Sequence, residues 1–135
     1  MNFKTDNHEK HYILWSEIVK RLQYFKDTGG LYVTEGTIDT LKKDICKSHP
    51  SLDEFSYCYA CDEMYRIQFE KKSSADGCIY CPIDWGYDIK VKTRDCLSPE
   101  SIYSRLLQER CIDYVIDLAT KIRDAKWKET STAND

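Results

Sequence analysis

Proline and glycine are scarce, three and five residues in a chain of 135, which excludes collagen-like repeats and the Pro/Gly-rich composition of flexible linkers. Neither sign of charge dominates: 20 Lys and Arg stand against 23 Asp and Glu, a formal −3. That balance is the one expected of a soluble globular domain. No uncharged apolar run approaches the ~20 residues that span a bilayer. The opening Met1-Asn2-Phe3-Lys4-Thr5-Asp6 also lacks the apolar core of an export signal, so the expectation is a cytoplasmic protein with no membrane segment.

Catalytic patterns are missing as well. Gly29-Gly30 is not followed by the Gly-Lys-Ser/Thr of a phosphate-binding loop, and reads instead as a helix stop. The only histidines are His8, His11 and His49, with no His-Glu-x-x-His among them. A zinc deaminase needs His-x-Glu and then Pro-Cys-x-x-Cys. Here Pro82 follows the second cysteine pair and His-x-Glu does not occur. Carboxylate pairs such as Asp62-Glu63 are ordinary surface features, so the expectation is a protein that is not an enzyme. His8 and His11, three apart, are expected as exposed polar residues at a helix start.

What is present is one globular domain over 1–128, with 129–135 as a disordered tail; 41% of the residues are hydrophobic and 32% charged. A chain near 150 residues buries roughly 68–70% of its unfolded surface, so a true core is attainable. Leu14, Trp15, Ile18, Leu22 and Phe25 recur at steps of three and four and predict a helix over 8–26. Leu31-Tyr32-Val33-Thr34 has the composition of a short strand. A second helix follows from Thr37, with Ile38, Leu41 and Ile45 on one face, and His49-Pro50 closes it. Tyr87 to Lys92 alternates as a strand does. Ser98-Pro99-Glu100 supplies an N-cap, a first-turn proline and an acid. From there Ile102, Leu106, Ile112, Val115, Ile116, Ala119 and Ile122 mark the buried stripe of one long helix reaching about Trp127. The predicted class is therefore helix-rich α+β: N-terminal helices and a long C-terminal helix packed around a four-cysteine zinc knuckle or ribbon.

That knuckle rests on the one specific motif in the chain. Of seven cysteines, Cys58-Tyr-Ala-Cys61 and Cys78-Ile-Tyr-Cys81 form two tight pairs sixteen residues apart, inside the spacing of two-pair zinc sites. A two-residue gap lets both sulfurs of one turn face the same ion. Two such turns complete a tetrahedron with Zn–S distances near ~2.3 Å. Four thiolates leave no open position for substrate, so Cys58, Cys61, Cys78 and Cys81 are expected to hold one structural Zn²⁺ within a module of about 53–96. Iron shares that tetrahedron, whereas a thioredoxin-type dithiol wants a βαβ context that is not evident here. Cys96 stands near enough to replace one ligand, although an inert thiol is the commoner fate. Cys46 and Cys111 lie on apolar helix faces and read as core.

Charge around the motif bears on partners. Residues 53–88 carry eight acids against Arg66, Lys71 and Lys72, and a four-thiolate zinc adds a further formal −2. Nucleic acid is accordingly disfavoured. The basic residues elsewhere, Lys42-Lys43 and Lys121, Arg123, Lys126 and Lys128, read as solvated helix faces. Eight aromatics crowd the same stretch: Phe55, Tyr57, Tyr59, Tyr65, Phe69, Tyr80, Trp85 and Tyr87. Most are expected to build the module's small core, or else to stack on a base. Trp85 and Tyr87, flanking Gly86, are the candidate aromatic anchors for a protein partner.

Taken together, His11-x3-Trp15, Cys58-Tyr-Ala-Cys61, Cys78-Ile-Tyr-Cys81-Pro-Ile-Asp-Trp85, Cys96 and Ala119-Thr-Lys-Ile122 resemble small bacteriophage and prophage proteins of Gram-positive bacteria that carry a zinc knuckle and no assigned activity. The chain departs from them by a longer insert, Glu63 to Asp76, between the pairs. The resemblance supports the four cysteines as ligands. It implies a non-enzymatic phage accessory protein that binds and modulates a host or anti-phage defence protein. The alternatives are a small-ligand binder sequestering a nucleotide signal and, behind it, a nucleic-acid-binding zinc protein.

Overall fold

The computed structural model describes Phe3, residues 5–52, Tyr59, Phe69 and residues 102–127. Helix α1 runs Asp6–Asp27. Its start is set by Thr5, which is extended and whose hydroxyl accepts the His8 N–H at 3.1 Å; Asp6 and Glu9 place negative charge in the first turn, where the helix dipole favours it. Its end is a paired glycine turn. Gly29 sits at φ +101° with its N–H on the Lys26 carbonyl, and the Gly30 N–H reaches the Phe25 carbonyl at 2.8 Å. That pair of hydrogen bonds satisfies carbonyls the helix leaves open. A side chain at Gly30 would also meet the Phe25 ring, which would have to turn aside.

Helix α2 spans Thr37–Ser48 after Gly36 at φ +85°. It ends at His49, which is extended ahead of Pro50 as the ring of that proline demands. Helices α3, Ile102–Gln108, and α4, Ile112–Arg123, complete the described elements. Helix α4 lies antiparallel along α1: the His11 ring meets the Ile122 carbonyl at one end, and Lys26 meets Asp113 at the other.

The expected α+β architecture is corrected by these elements. Among the described residues all regular structure is helical, and the predicted strand at Leu31 to Thr34 is only an isolated antiparallel bridge, Tyr32 with Cys111. Too few residues are extended there for a ladder to propagate. The described helices pack on one another. Leu14, Ile18, Leu22, Ile38, Ile45, Leu106, Val115 and Ile122 close a single apolar core. Cys46 and Tyr59 belong to that core, Sγ to Oη at 3.7 Å. Among the described residues no group of three or more His, Cys, Asp or Glu is placed to hold a metal.

The long C-terminal helix is also corrected, into two. At the break, Glu109 Oε1 accepts the N–H groups of Arg110 and Cys111 at 3.1 and 3.2 Å. The Arg110 guanidinium donates to the Leu107 and Glu109 carbonyls. Opening the helix frees the chain to bond elsewhere: Val33 N–H to the Arg110 carbonyl at 2.8 Å and Ile112 N–H to the Leu31 carbonyl at 2.9 Å. The hydrogen bonds lost at the break are thus replaced by side-chain caps and by the bridge. The predicted start at Ser98-Pro99-Glu100, the Tyr87–Lys92 strand and the 129–135 tail lie outside the described residues.

Candidate functional site

Among the described residues two polar sites emerge from the helix packing, one buried and one open. The buried one gathers where the first turns of α1 meet the far end of α4. His11 is 3% exposed, and its Nε2 donates to the Ile122 carbonyl at 2.9 Å. Burial, with help from the nearby charges of His8 and Lys42 and against that hydrogen bond, lowers its pKa from 6.5 to about 4. The ring is therefore neutral near pH 7. Trp127 covers the cluster, stacked on His8 at 4.9 Å between centroids and edge-on to His11 at 5.4 Å.

Lys42 of α2 enters the neighbouring space. Its ammonium donates to Tyr103 Oη at 2.8 Å and sits 4.8 Å from the Tyr103 ring centroid and 5.8 Å from that of Trp15. The residue is 6% exposed, and aromatic faces with a hydroxyl replace water around the charge. This corrects two expectations. His11 and Lys42 are not solvated surface residues but members of the core that tie α1 to α4 and α2 to α3. The signal was in the spacing: His11 falls in the Leu14, Trp15, Ile18 stripe, and Lys42 lies four after Ile38 and three before Ile45. A neutral histidine committed to a carbonyl and a lysine held among rings form no nucleophile and base pair.

The open site is a groove of about 480 Å³ between α3 and α4, lined by Arg105, Gln108, Glu109, Tyr114, Asp117, Leu118 and Lys121. Its charges are two of each sign, Arg105 and Lys121 against Glu109 and Asp117. Lys121 pairs with Asp117 one turn earlier at 3.1 Å, and Glu109 is occupied as a cap. Tyr114 is 63% exposed and offers its ring to whatever lies in the groove. Apart from Lys121, read as part of a solvated basic face, none of these residues stood out in the sequence, because Tyr114 and Asp117 read only as the polar face of an amphipathic helix.

The sequence-predicted ligands Cys58, Cys61, Cys78 and Cys81, the candidate Cys96 and the anchors Trp85 and Tyr87 all lie outside the described residues. Cys46 is buried as expected, Cys111 half-buried, and neither is in a disulfide. Of the eight central aromatics the structure describes two, both helical: Tyr59 in the core, and Phe69 at 84% exposure. Among the described residues no helix is long and apolar enough to cross a membrane. No family model matches the chain, and no curated protein or solved structure matches it either.

Proposed function

We propose that this is a non-enzymatic bacteriophage or prophage accessory protein that acts in the host cytoplasm by binding and modulating a host or anti-phage defence protein. The observation that carries the reading is the groove between α3 and α4. Tyrosine and arginine are the residues that most often anchor protein interfaces. Here Tyr114 and Arg105 line one open depression with two acids and one further base. A nucleotide would want an excess of basic groups around its phosphates. Glu109 and Asp117 cancel that excess, and Lys121 is already engaged. The balance suits a protein surface carrying both signs and weighs against the nucleotide-sequestering alternative and against nucleic acid.

One structural zinc on Cys58, Cys61, Cys78 and Cys81 belongs to the same reading, supported by the sixteen-residue spacing of the two pairs. Trp85 and Tyr87 are proposed as a second contact with the partner.

The test is purification of the tagged protein from its bacterial host. A stoichiometric host protein lost with Tyr114→Ala and Arg105→Ala, while helicity is unchanged, supports the reading. Tight binding of a nucleotide by calorimetry, with no protein partner, overturns it. Metal content is read separately: Cys78→Ser should lower bound zinc and broaden unfolding, and full occupancy with an unchanged melt removes the zinc assignment.

A further inference from the structure

The bulkiest fully buried side chain among the described residues is that of Tyr59, 1% exposed. It enters the core beside α2, where its Oη and the Cys46 Sγ lie 3.7 Å apart and Cys46 is itself 1% exposed. In the sequence Tyr59 follows Cys58 directly and stands two before Cys61. One residue thus belongs both to the apolar core and to the first cysteine pair.

Covalent geometry makes that double membership consequential. Adjacent Cα atoms are about 3.8 Å apart, so the Cα atoms of Cys58 and Cys61 lie no further than about 4 Å and about 7 Å from that of Tyr59. An ion held by both sulfurs fixes the backbone on either side of the tyrosine. Ordering the backbone of one residue costs roughly a factor of ten in population. Where the metal has already imposed that order, seating the ring costs less; where the ring is already seated, the two sulfurs are held closer to the arrangement the ion needs. By linkage the two effects are the same factor.

We propose that Tyr59 is a pin that couples metal loading of the Cys58 and Cys61 pair to closure of the core over Cys46. The proposal rests on the structural zinc of the preceding section and goes beyond it by naming the residue through which the ion acts on the helices. With the pair loaded, the ring is seated and the Cys46 thiol is shielded. With the pair empty, the ring leaves in a local opening and the thiol meets solvent, while the packing of α1 on α4 through Leu14, Ile18, Val115 and Ile122 persists. Tyr59 is a positioning residue in this scheme. Cys46 reports on the opening, and Cys111, half-buried at the start of α4 and in no disulfide, reports on the rest of the fold.

The test follows alkylation of each cysteine in the reduced full chain by iodoacetamide, read by mass spectrometry of its peptides, with zinc bound and after its removal by excess chelator. Removing zinc should speed labelling of Cys46 at least about tenfold and leave Cys111 labelling and helicity nearly unchanged. Tyr59→Ala should make Cys46 react fast in both states. Tyr59→Phe, which keeps the ring, should retain the dependence on zinc, and so should Leu106→Ala, a buried truncation on α3. If Tyr59→Ala does not fold, Tyr59→Leu takes its place. Bound zinc with Cys46 labelling indifferent to its removal overturns the pin and leaves the zinc assignment standing, as does a zinc dependence that survives the loss of the Tyr59 ring. Absence of bound zinc removes the assignment and the pin with it. A joint rise at Cys46 and Cys111 with loss of helicity is global unfolding and overturns the local device.

Discussion

The two ends of α1 carry comparable side chains in opposite environments. Near its start, His11 and Trp15 are covered by Trp127, Tyr103 and the last turn of α4, and His8 is half covered beneath the Trp127 ring. At its finish, Tyr24 and Phe25 stand 70% and 40% exposed beside the glycine turn. The difference lies in the segment beyond α4 rather than in α1 itself. After Arg123 the chain continues over the N-terminal end of α1 and lays Trp127 on it. Among the described residues, the opposite end meets the extended Leu31 to Val33 segment and the exposed Lys26 and Asp113 ion pair at 2.7 Å. Aromatic residues on one helix are thus core or surface according to where a distant segment lands.

The comparison can be broken hardest at the covered end. Trp15→Ala removes a buried ring that Tyr103 meets at about a right angle and whose face lies beneath the Lys42 ammonium; it should cost about 3–5 kcal/mol in chemical denaturation. Tyr24→Ala, the same kind of truncation at the open end, should stay within about 0.5 kcal/mol. Equal losses at both positions would show that the two ends are not different in kind.

Acid probes the covered end next. His11 has a folded pKa of about 4 against 6.5 unfolded, so the unfolded chain binds the extra proton between those values. The stability it contributes is complete above pH 6.5 and is lost as the pH falls toward 4, about 3 kcal/mol over that window. Melts recorded between pH 7.5 and 4 should show the decline, and His11→Gln should flatten it. An unchanged pH profile in the variant would place the acid sensitivity elsewhere.

A smaller effect lies in the Lys42 and Tyr103 contact at 2.8 Å. A double-mutant cycle with Lys42→Met and Tyr103→Phe should give a coupling of about 1–2 kcal/mol, combining one hydrogen bond with the cation held at a ring face. Smaller still, Thr5→Ala removes the cap on the His8 N–H and should lower stability by about 1 kcal/mol or less. A drop as large as that of Trp15→Ala would mean that the N-terminal turn anchors Trp127 through more than its rings.

Helices α1 and α2 were readable because their apolar residues recur at helical spacing and because their ends have local chemistry. Gly29-Gly30 can adopt the backbone that closes a helix, and Pro50 forbids the continuation of α2. The break at Glu109 and Arg110 was not readable. Neither residue is a helix breaker, and the chain is held open there by a pair of hydrogen bonds to Leu31 and Val33, some eighty residues away in sequence. The same distance hid the groove, whose residues come from two helices that look continuous in the sequence. The polarity of His11 and Lys42 points to the surface, whereas their positions point inward. Each occupies a stripe position, and tertiary contacts supply the Ile122 carbonyl and the Tyr103 hydroxyl that make their burial tolerable.

By itself, then, the sequence determined where α1 and α2 form, how they end, and that no described helix spans a membrane, because propensity, capping and hydrophobic period act within a few residues. Only the tertiary structure decided that α3 and α4 are separate, which groups meet His11 and Lys42 inside, and that Tyr32 and Tyr114 stay open. Each of those outcomes depends on groups brought together from distant parts of the chain, and local periodicity carries no information about such meetings.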